Sequence, residues 1–260
     1  MCAFINVKKY NGKGFKCPVE DKHKYHNYTL DDKELKSSSM NGGDGSGCTF
    51  SDYTFAFDYL SDKFKLAMGY TDDSRIGNKV FLKFADLTYS INLSFDSSLT
   101  LPDYKMCDFW GRFRVMVVKF DQAMTDTLIK DWLRNTFVYI TSNSTYNLQS
   151  CHQSKMREST EWTGRFKILY DEKFKIDKKN SVKFDTIHIP FSKNITFTSS
   201  SSTAPKDYDI NYIYAIYIPP AWIKIDWDYE TAKMFANTSA STKYKIANVN
   251  SCLKFEYYDM

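Results

Sequence analysis

The feature that most constrains this chain is an uninterrupted alternation near its first third. Leu87, Tyr89, Ile91, Leu93 and Phe95 are apolar, and Thr88, Ser90, Asn92 and Ser94 between them are polar. Period two matches the pleat of a β-strand, so one face meets a core and the other meets water. That is the habit of antiparallel sheets. Tyr53, Phe55, Phe57 and Tyr59 repeat the pattern against Thr54, Ala56 and Asp58. Further runs lie at 80–84, 113–120 (FRVMVVKF), 137–140, 182–189, 212–218, 244–249 and 253–258, and Phe166, Ile168 and Tyr170 alternate with Arg165, Lys167 and Leu169. The set predicts roughly eight to ten strands in a two-sheet sandwich or barrel.

One segment predicts a helix. Residues 124–134 (MTDTLIKDWLR) place Leu128, Ile129, Trp132 and Leu133 on one side, and Thr125 or Asp126 can cap the start. Strands never alternate regularly with helices, which argues against an α/β enzyme. No internal repeat marks a propeller or solenoid. Residues 37–47 (SSSMNGGDGSG) and 198–205 (TSSSSTAP) read as loops, and 141–157 is a mostly polar stretch. The expectation is one domain over residues 1–260: 1–50 as an N-terminal extension and flexible loop, 51–260 as the sandwich core.

Aromatic residues make up 17%, with 20 Phe and 19 Tyr, which supplies a large core and favours strands. Net charge is +4, a mild excess that permits a nucleic-acid partner without demanding one. No apolar run approaches the roughly 18 residues of a membrane-crossing helix, so no membrane insertion is expected. Residues 1–9 are too short and interrupted for a signal peptide. The six cysteines (2, 17, 48, 107, 151 and 252) are therefore expected as free thiols, and the sequons at Asn27, Asn92, Asn143, Asn194 and Asn237 as chance matches.

Constellations that carry chemistry are thin. Gly42–Gly47 lacks the strand before and helix after that a phosphate loop needs, and reads as a flexible loop. Cys17, His23, His26 and Cys48 do not have a recognised zinc-knuckle spacing. Cys151 and His152 are neighbours, whose side chains usually diverge instead of converging as nucleophile and base. Asp226-Trp227-Asp228-Tyr229 suits sugar stacking but reads as a solvated loop. No catalytic residue, metal ligand or cofactor is assigned, and an enzyme is the least expected class.

The basic residues carry the remaining signal. Lys8, Lys9, Lys13 and Lys16 lie near the N-terminus, Arg112 and Arg114 flank Phe113 at a strand start, Arg165 and Lys167 share one face of another strand, and Lys173, Lys175, Lys178 and Lys179 cluster just after. Such groups neutralise phosphates without reading sequence. On residue type alone an ordinary solvated face is the favoured reading.

Two segments together bring in a family. Residues 111–122 read GRFRVMVVKFDQ, and residues 161–176 read EWTGRFKILYDEKFKI, followed by FDTIHIPF at 184–191. This succession resembles the capsid proteins of circular Rep-encoding single-stranded DNA viruses, the circovirus-like group, over about residues 80–258. The resemblance implies an all-β fold, an eight-stranded antiparallel jelly-roll sandwich with long loops and one short helix. It implies a homo-oligomeric icosahedral shell enclosing a single-stranded DNA genome, located in the virion and assembled in host nucleus or cytoplasm. Arg112, Arg114, Arg165 and Lys167 then become candidates for genome or subunit contacts. Many members carry an arginine-rich N-terminal arm, where this chain has scattered lysines. Two other readings stay open: a carbohydrate-binding β-sandwich using Trp222, Trp227 and Tyr229, and a coat protein of a small RNA virus or satellite.

Overall fold

The computed structural model describes residues 23–37, 40–42, 48–50, 53–71, 73–94, 110–137, 161–177, 179–199, 201–205, 210–219, 222–224 and 244–260. Its strands are β1 (Lys24–Thr29), β2 (Lys33–Ser37), β3 (Met40–Gly42), β4 (Cys48–Phe50), β5 (Tyr53–Thr54), β6 (Ala56–Tyr59), β7 (Lys79–Leu93), β8 (Trp110–Phe120), β9 (Phe166–Asp177), β10 (Val182–Thr196), β11 (Ile213–Ile218), β12 (Trp222–Lys224) and β13 (Tyr244–Asp259). Among the described residues one α-helix, α1, spans Asp126–Phe137.

The strands form two antiparallel sheets. The first runs β10-β7-β13-β2-β5, with β1 also on β13; the second runs β3-β4-β12-β8-β11-β6, with β9 on the other side of β8. Eight strands form the frame: β2, β13, β7 and β10 face β6, β11, β8 and β9. The chain visits them in the sheet order first, second, first, second, second, first, second, first. That interleaving of two four-stranded sheets is a jelly roll. The expected fold class is therefore the observed one. Strand β1–β2, at 24–37, lies N-terminal to residue 51, where the sequence reading began the core; only Leu30 and Leu35 of this stretch are deeply buried apolar residues, so its alternation is weak.

Strand β7 explains how the sheets keep register. Val80 and Leu82, then Ala85, Leu87, Tyr89 and Ile91, all point into the core. The phase slips between Leu82 and Ala85, because Lys83 is an extra residue against the consecutive Glu256 and Tyr257 of β13. The same point bulges β10, between Pro190 and Lys193, where Ser192 adopts φ 50°. A bulge of this kind bends an edge strand away from further pairing. The runs read separately in the sequence as 80–84 and 87–95 thus belong, as far as Leu93, to one strand, and Phe95 lies outside the described residues. The runs 244–249 and 253–258 are likewise one, interrupted to the eye by Ser251, a polar residue in an inward slot.

The second sheet is covered on both faces. Phe113, Val115 and Val117 of β8, with Ile213, Ala215 and Tyr217 of β11, enter the core between the sheets. Met116, Val118 and Phe120, with Tyr214, Ile216 and Ile218, point outward into a second apolar layer under α1 and Trp162. This double burial is why 113–120 is apolar almost without alternation. Thr125 caps α1: its hydroxyl accepts the Leu128 N–H at 3.3 Å. Trp132 meets Phe120 edge-on at 5.1 Å and Phe166 at 5.3 Å.

Two expectations are corrected here. Phe137 does not open a strand; it is the last helical residue and packs edge-on against Trp132. Phe166, Ile168 and Tyr170 do not share a face. Leu169 is an extra residue between Ile168, opposite Val118, and Tyr170, opposite Val117. Phe166 and Ile168 therefore join the outer layer, and Tyr170 joins the core.

Candidate functional site

The outer face of β8 and β9, beyond the C-terminal end of α1, gathers cationic side chains. Register places Arg112 opposite Lys175 and Arg114 opposite Lys173. Arg112, Lys173 and Lys175 are exposed. Lys175 lies 3.3 Å from Asp177.

Arg114 behaves differently. Its residue is 1% exposed. Nε and Nη2 donate to the two carboxylate oxygens of Asp171 at 2.7 and 2.6 Å. Its guanidinium lies 4.3 Å over the Phe137 ring. A two-pronged pair under an aromatic lid holds the helix end to the sheet and commits this charge inside the chain. The sequence reading grouped it with its neighbours because residue type does not report burial.

The other predicted basic residues lie elsewhere. Arg165 pairs with Asp121 at 3.1 Å and stands 5.1 Å over Trp162. Lys167 is exposed and sits opposite Lys119. The bulge at Leu169 separates this group from the Arg112 row. Lys8, Lys9, Lys13 and Lys16 fall outside the described residues. Lys173 and Lys175, which the sequence shows as a lysine cluster with Lys178 and Lys179, complete the row; the pairing of β9 on β8 is the only signal that joins them to Arg112.

The two open sides of the sandwich are each closed by a carboxylate on the second sheet and a lysine on the first. On one side, Asp58 of β6 lies in the core with Lys33 of β2 at 2.9 Å and the Ser251 hydroxyl at 3.4 Å. Burial pushes the Asp58 carboxyl above its ordinary range, and Lys33 pulls against it. The neighbouring buried Tyr217 phenol is pushed up by burial and by the Asp58 charge. On the other side, Glu172 of β9 accepts from the Tyr170 hydroxyl, from Tyr89 at 3.3 Å and from Lys183 of β10 at 3.1 Å. Burial and this carboxylate push both phenols up.

A third buried charge organises the loops. Arg75 donates to the carbonyls of Leu66, Ser199 and Ser202 at 3.2, 2.8 and 2.7 Å, and stacks on Phe197 at 4.3 Å. It ties the segment after β6 to the serine-rich loop after β10.

The minor constellations resolve as follows. His23 bonds Glu256 at 2.7 Å, and His188 bonds Asp86 at 2.8 Å. Among the described residues no group of three or more potential metal ligands converges. Cys17, Cys151, His152 and 226–229 lie outside the described residues; Trp222 opens β12, which pairs with β4 and β8. No helix among the described residues is long and apolar enough to cross a membrane.

No protein-family model matches the chain, and no curated protein matches it. Solved structures with some likeness include the VP1 pentamer of human polyomavirus 6, at 8% identity over 93% of this chain and 96% of that one, with a TM-score of 0.30. A full particle of Israeli acute paralysis virus, heated to 63 degrees, is similar at 10% identity over 100% of this chain and 80% of that one, with a TM-score of 0.27. At such scores the jelly-roll assignment rests on the strand order described above.

Proposed function

We propose that this chain is a viral capsid protein that self-assembles into a small icosahedral shell around a single-stranded DNA genome. A fold alone does not carry a function. The observation that carries this reading is a coincidence of motif and position. The segments resembling circovirus-like capsid proteins, 111–122, 161–176 and 184–191, fall on β8, β9 and β10, consecutive strands of an eight-stranded jelly roll.

The physical logic is that of a building block. A jelly roll buries its own core and leaves sides and loops free to bury further surface against copies of itself. Val182 and Phe184 stand exposed on the outward face of edge strand β10, the kind of apolar surface that copies bury. In this reading Arg112, Lys173 and Lys175, with Arg165, Lys167 and the N-terminal lysines, neutralise genome phosphates, and Arg114 positions the strand that carries them. The protein works as a structural component of the virion, without catalysis.

The test is negative-stain electron microscopy of the purified protein together with its absorbance ratio at 260 and 280 nm. Uniform closed particles with a raised ratio support the proposal, and nuclease digestion of the released material separates DNA from RNA. A monomer that never assembles across salt and pH overturns it.

A further inference from the structure

Strand β1 is lightly held. Among the described strands it pairs with β13 alone, and Lys24 is its one buried residue. Few buried contacts make a segment prone to local opening. Register sets Lys24, His26 and Tyr28 opposite Tyr257, Phe255 and Leu253, all core residues, so these three share the inward face. Lys24 donates to the Ser74 carbonyl at 2.8 Å and pairs with Asp259 at 2.6 Å. Tyr28 carries Lys63 over its ring at 5.2 Å. His26 stands between them, 5.9 Å from the Tyr28 ring, and both of its ring nitrogens are shut away from water with no hydrogen-bond partner.

The surrounding charges offer a protonated ring little. Asp73 of the loop before β7 acts on it across space, but that carboxylate is exposed and accepts from the Thr71 hydroxyl at 2.6 Å. Asp259 of β13 is committed to Lys24, and Asp62 of the turn at 61–63 to Lys65 at 2.9 Å. Glu256 of β13 is opposite Tyr25, on the outward face, with Lys83 and His23. Lys24, Lys63 and Arg75 are themselves cations. Burial therefore holds the His26 ring below the ordinary histidine range, with Asp73 opposing. An enclosed imidazole without partners is far cheaper neutral than charged.

We infer that His26 is an acid-operated release for strand β1: a proton on its ring detaches residues 24–29 from β13 and from the loop at 66–75, while the rest of the sandwich stays folded. Above the ordinary histidine range the ring is neutral in both states and attachment is complete. As pH falls through that range the detached strand takes up the proton first, and attachment weakens until the enclosed ring also titrates. This inference does not depend on the capsid reading.

The test is hydrogen exchange of the full chain by mass spectrometry, corrected for the intrinsic pH dependence of exchange, on either side of the ordinary histidine range. Protection at 24–29 is expected to fall severalfold on acidification while protection at 85–91 holds. His26→Phe keeps a ring opposite Phe255 and removes the titration, so its protection at 24–29 is expected to stay level. The same fall in wild type and His26→Phe, or a parallel loss at 85–91, overturns the inference. Asp73→Asn keeps His26 and removes the carboxylate that favours its charged form, so the acid loss at 24–29 is expected to deepen. A loss no deeper than in wild type counts against the inference.

Discussion

Lys33 Nζ lies 2.9 Å from Asp58 Oδ1, joining strand β2 of the first sheet to strand β6 of the second across an open side of the sandwich. Asp58 is almost wholly enclosed, with its side chain 4% exposed against 22% for the lysine. The carboxylate faces the core because β6 puts Ala56 and Asp58 on one face and Phe57 and Tyr59 on the other. Its position fits no rule of hydrophobic alternation; it is tolerated because a lysine and a serine converge on it.

Removing the lysine exposes the cost. The variant Lys33→Ala leaves a buried carboxylate without its cation, and loss of one partner of such a pair costs about 3–5 kcal/mol. The folded-state pKa of Asp58 is already raised above its unfolded value. A carboxyl of that kind opposes folding at neutral pH, and the opposition fades as pH falls through the raised folded-state pKa toward the ordinary carboxylate range. Lys33→Ala raises that pKa further. Its destabilisation is thus expected to be large in urea unfolding at neutral pH and to shrink as pH falls through the raised pKa. Asp58→Asn, which removes the charge and keeps the shape, is expected to be much milder at neutral pH. A Lys33→Ala penalty independent of pH would contradict this account.

Arg114 and Asp171 make the mirror experiment. The arginine is the enclosed partner and the carboxylate is about one-third exposed. Asp171→Asn takes the carboxylate from a buried guanidinium, whereas Arg114→Met frees a carboxylate that water can reach. Asp171→Asn is therefore expected to lower the melting temperature more than Arg114→Met, and Arg114→Lys to fall short of wild type because an ammonium cannot make the two-pronged contact. Thermal unfolding by circular dichroism orders the three.

The outer layer depends on α1. Trp132 is fully buried between Phe120, Phe166 and Phe137. Trp132→Ala is expected to cost about 3–5 kcal/mol. The helix, not the sandwich, bears the first damage, so limited proteolysis is expected to cut at 126–137 before any strand of the first sheet. Cleavage that begins in β7 or β13 would overturn this layering.

What the sequence showed and what it hid follow from range. β7 is legible past Ala85 because its core contacts repeat every second residue, and β8 and β11 are legible as apolar runs because both of their faces are buried. The helix was legible from Leu128, Ile129, Trp132 and Leu133, although its end was displaced by reading Phe137 forward into a strand. The slips at Lys83 and Leu169 were not legible, since a bulge is set by the partner strand's count of residues. β1 and β2 were missed because polar residues fill most of their positions and leave no alternation to find. The Arg112 row was only half visible: Lys173 and Lys175 lie about sixty residues further along, and only the β8–β9 register puts them beside Arg112.

That row yields the last prediction, which tests the genome-binding part of the proposal separately from folding. Arg112, Lys173 and Lys175 are exposed. Replacing any one with Ala is expected to leave the unfolding midpoint nearly unchanged. If each meets one phosphate, binding of an unstructured single-stranded DNA weakens alike for every sequence. The slope of log affinity against log salt then falls by about 0.7 per residue removed. Arg114→Met serves as the internal control: it lowers stability while leaving that slope almost intact, because its charge is spent on Asp171. Fluorescence anisotropy across a salt series, with a homopolymer and a mixed-sequence oligonucleotide, reads both quantities. A slope unchanged by the triple replacement would remove this face from the genome contact and leave Arg165, Lys167 and the N-terminal lysines to carry it.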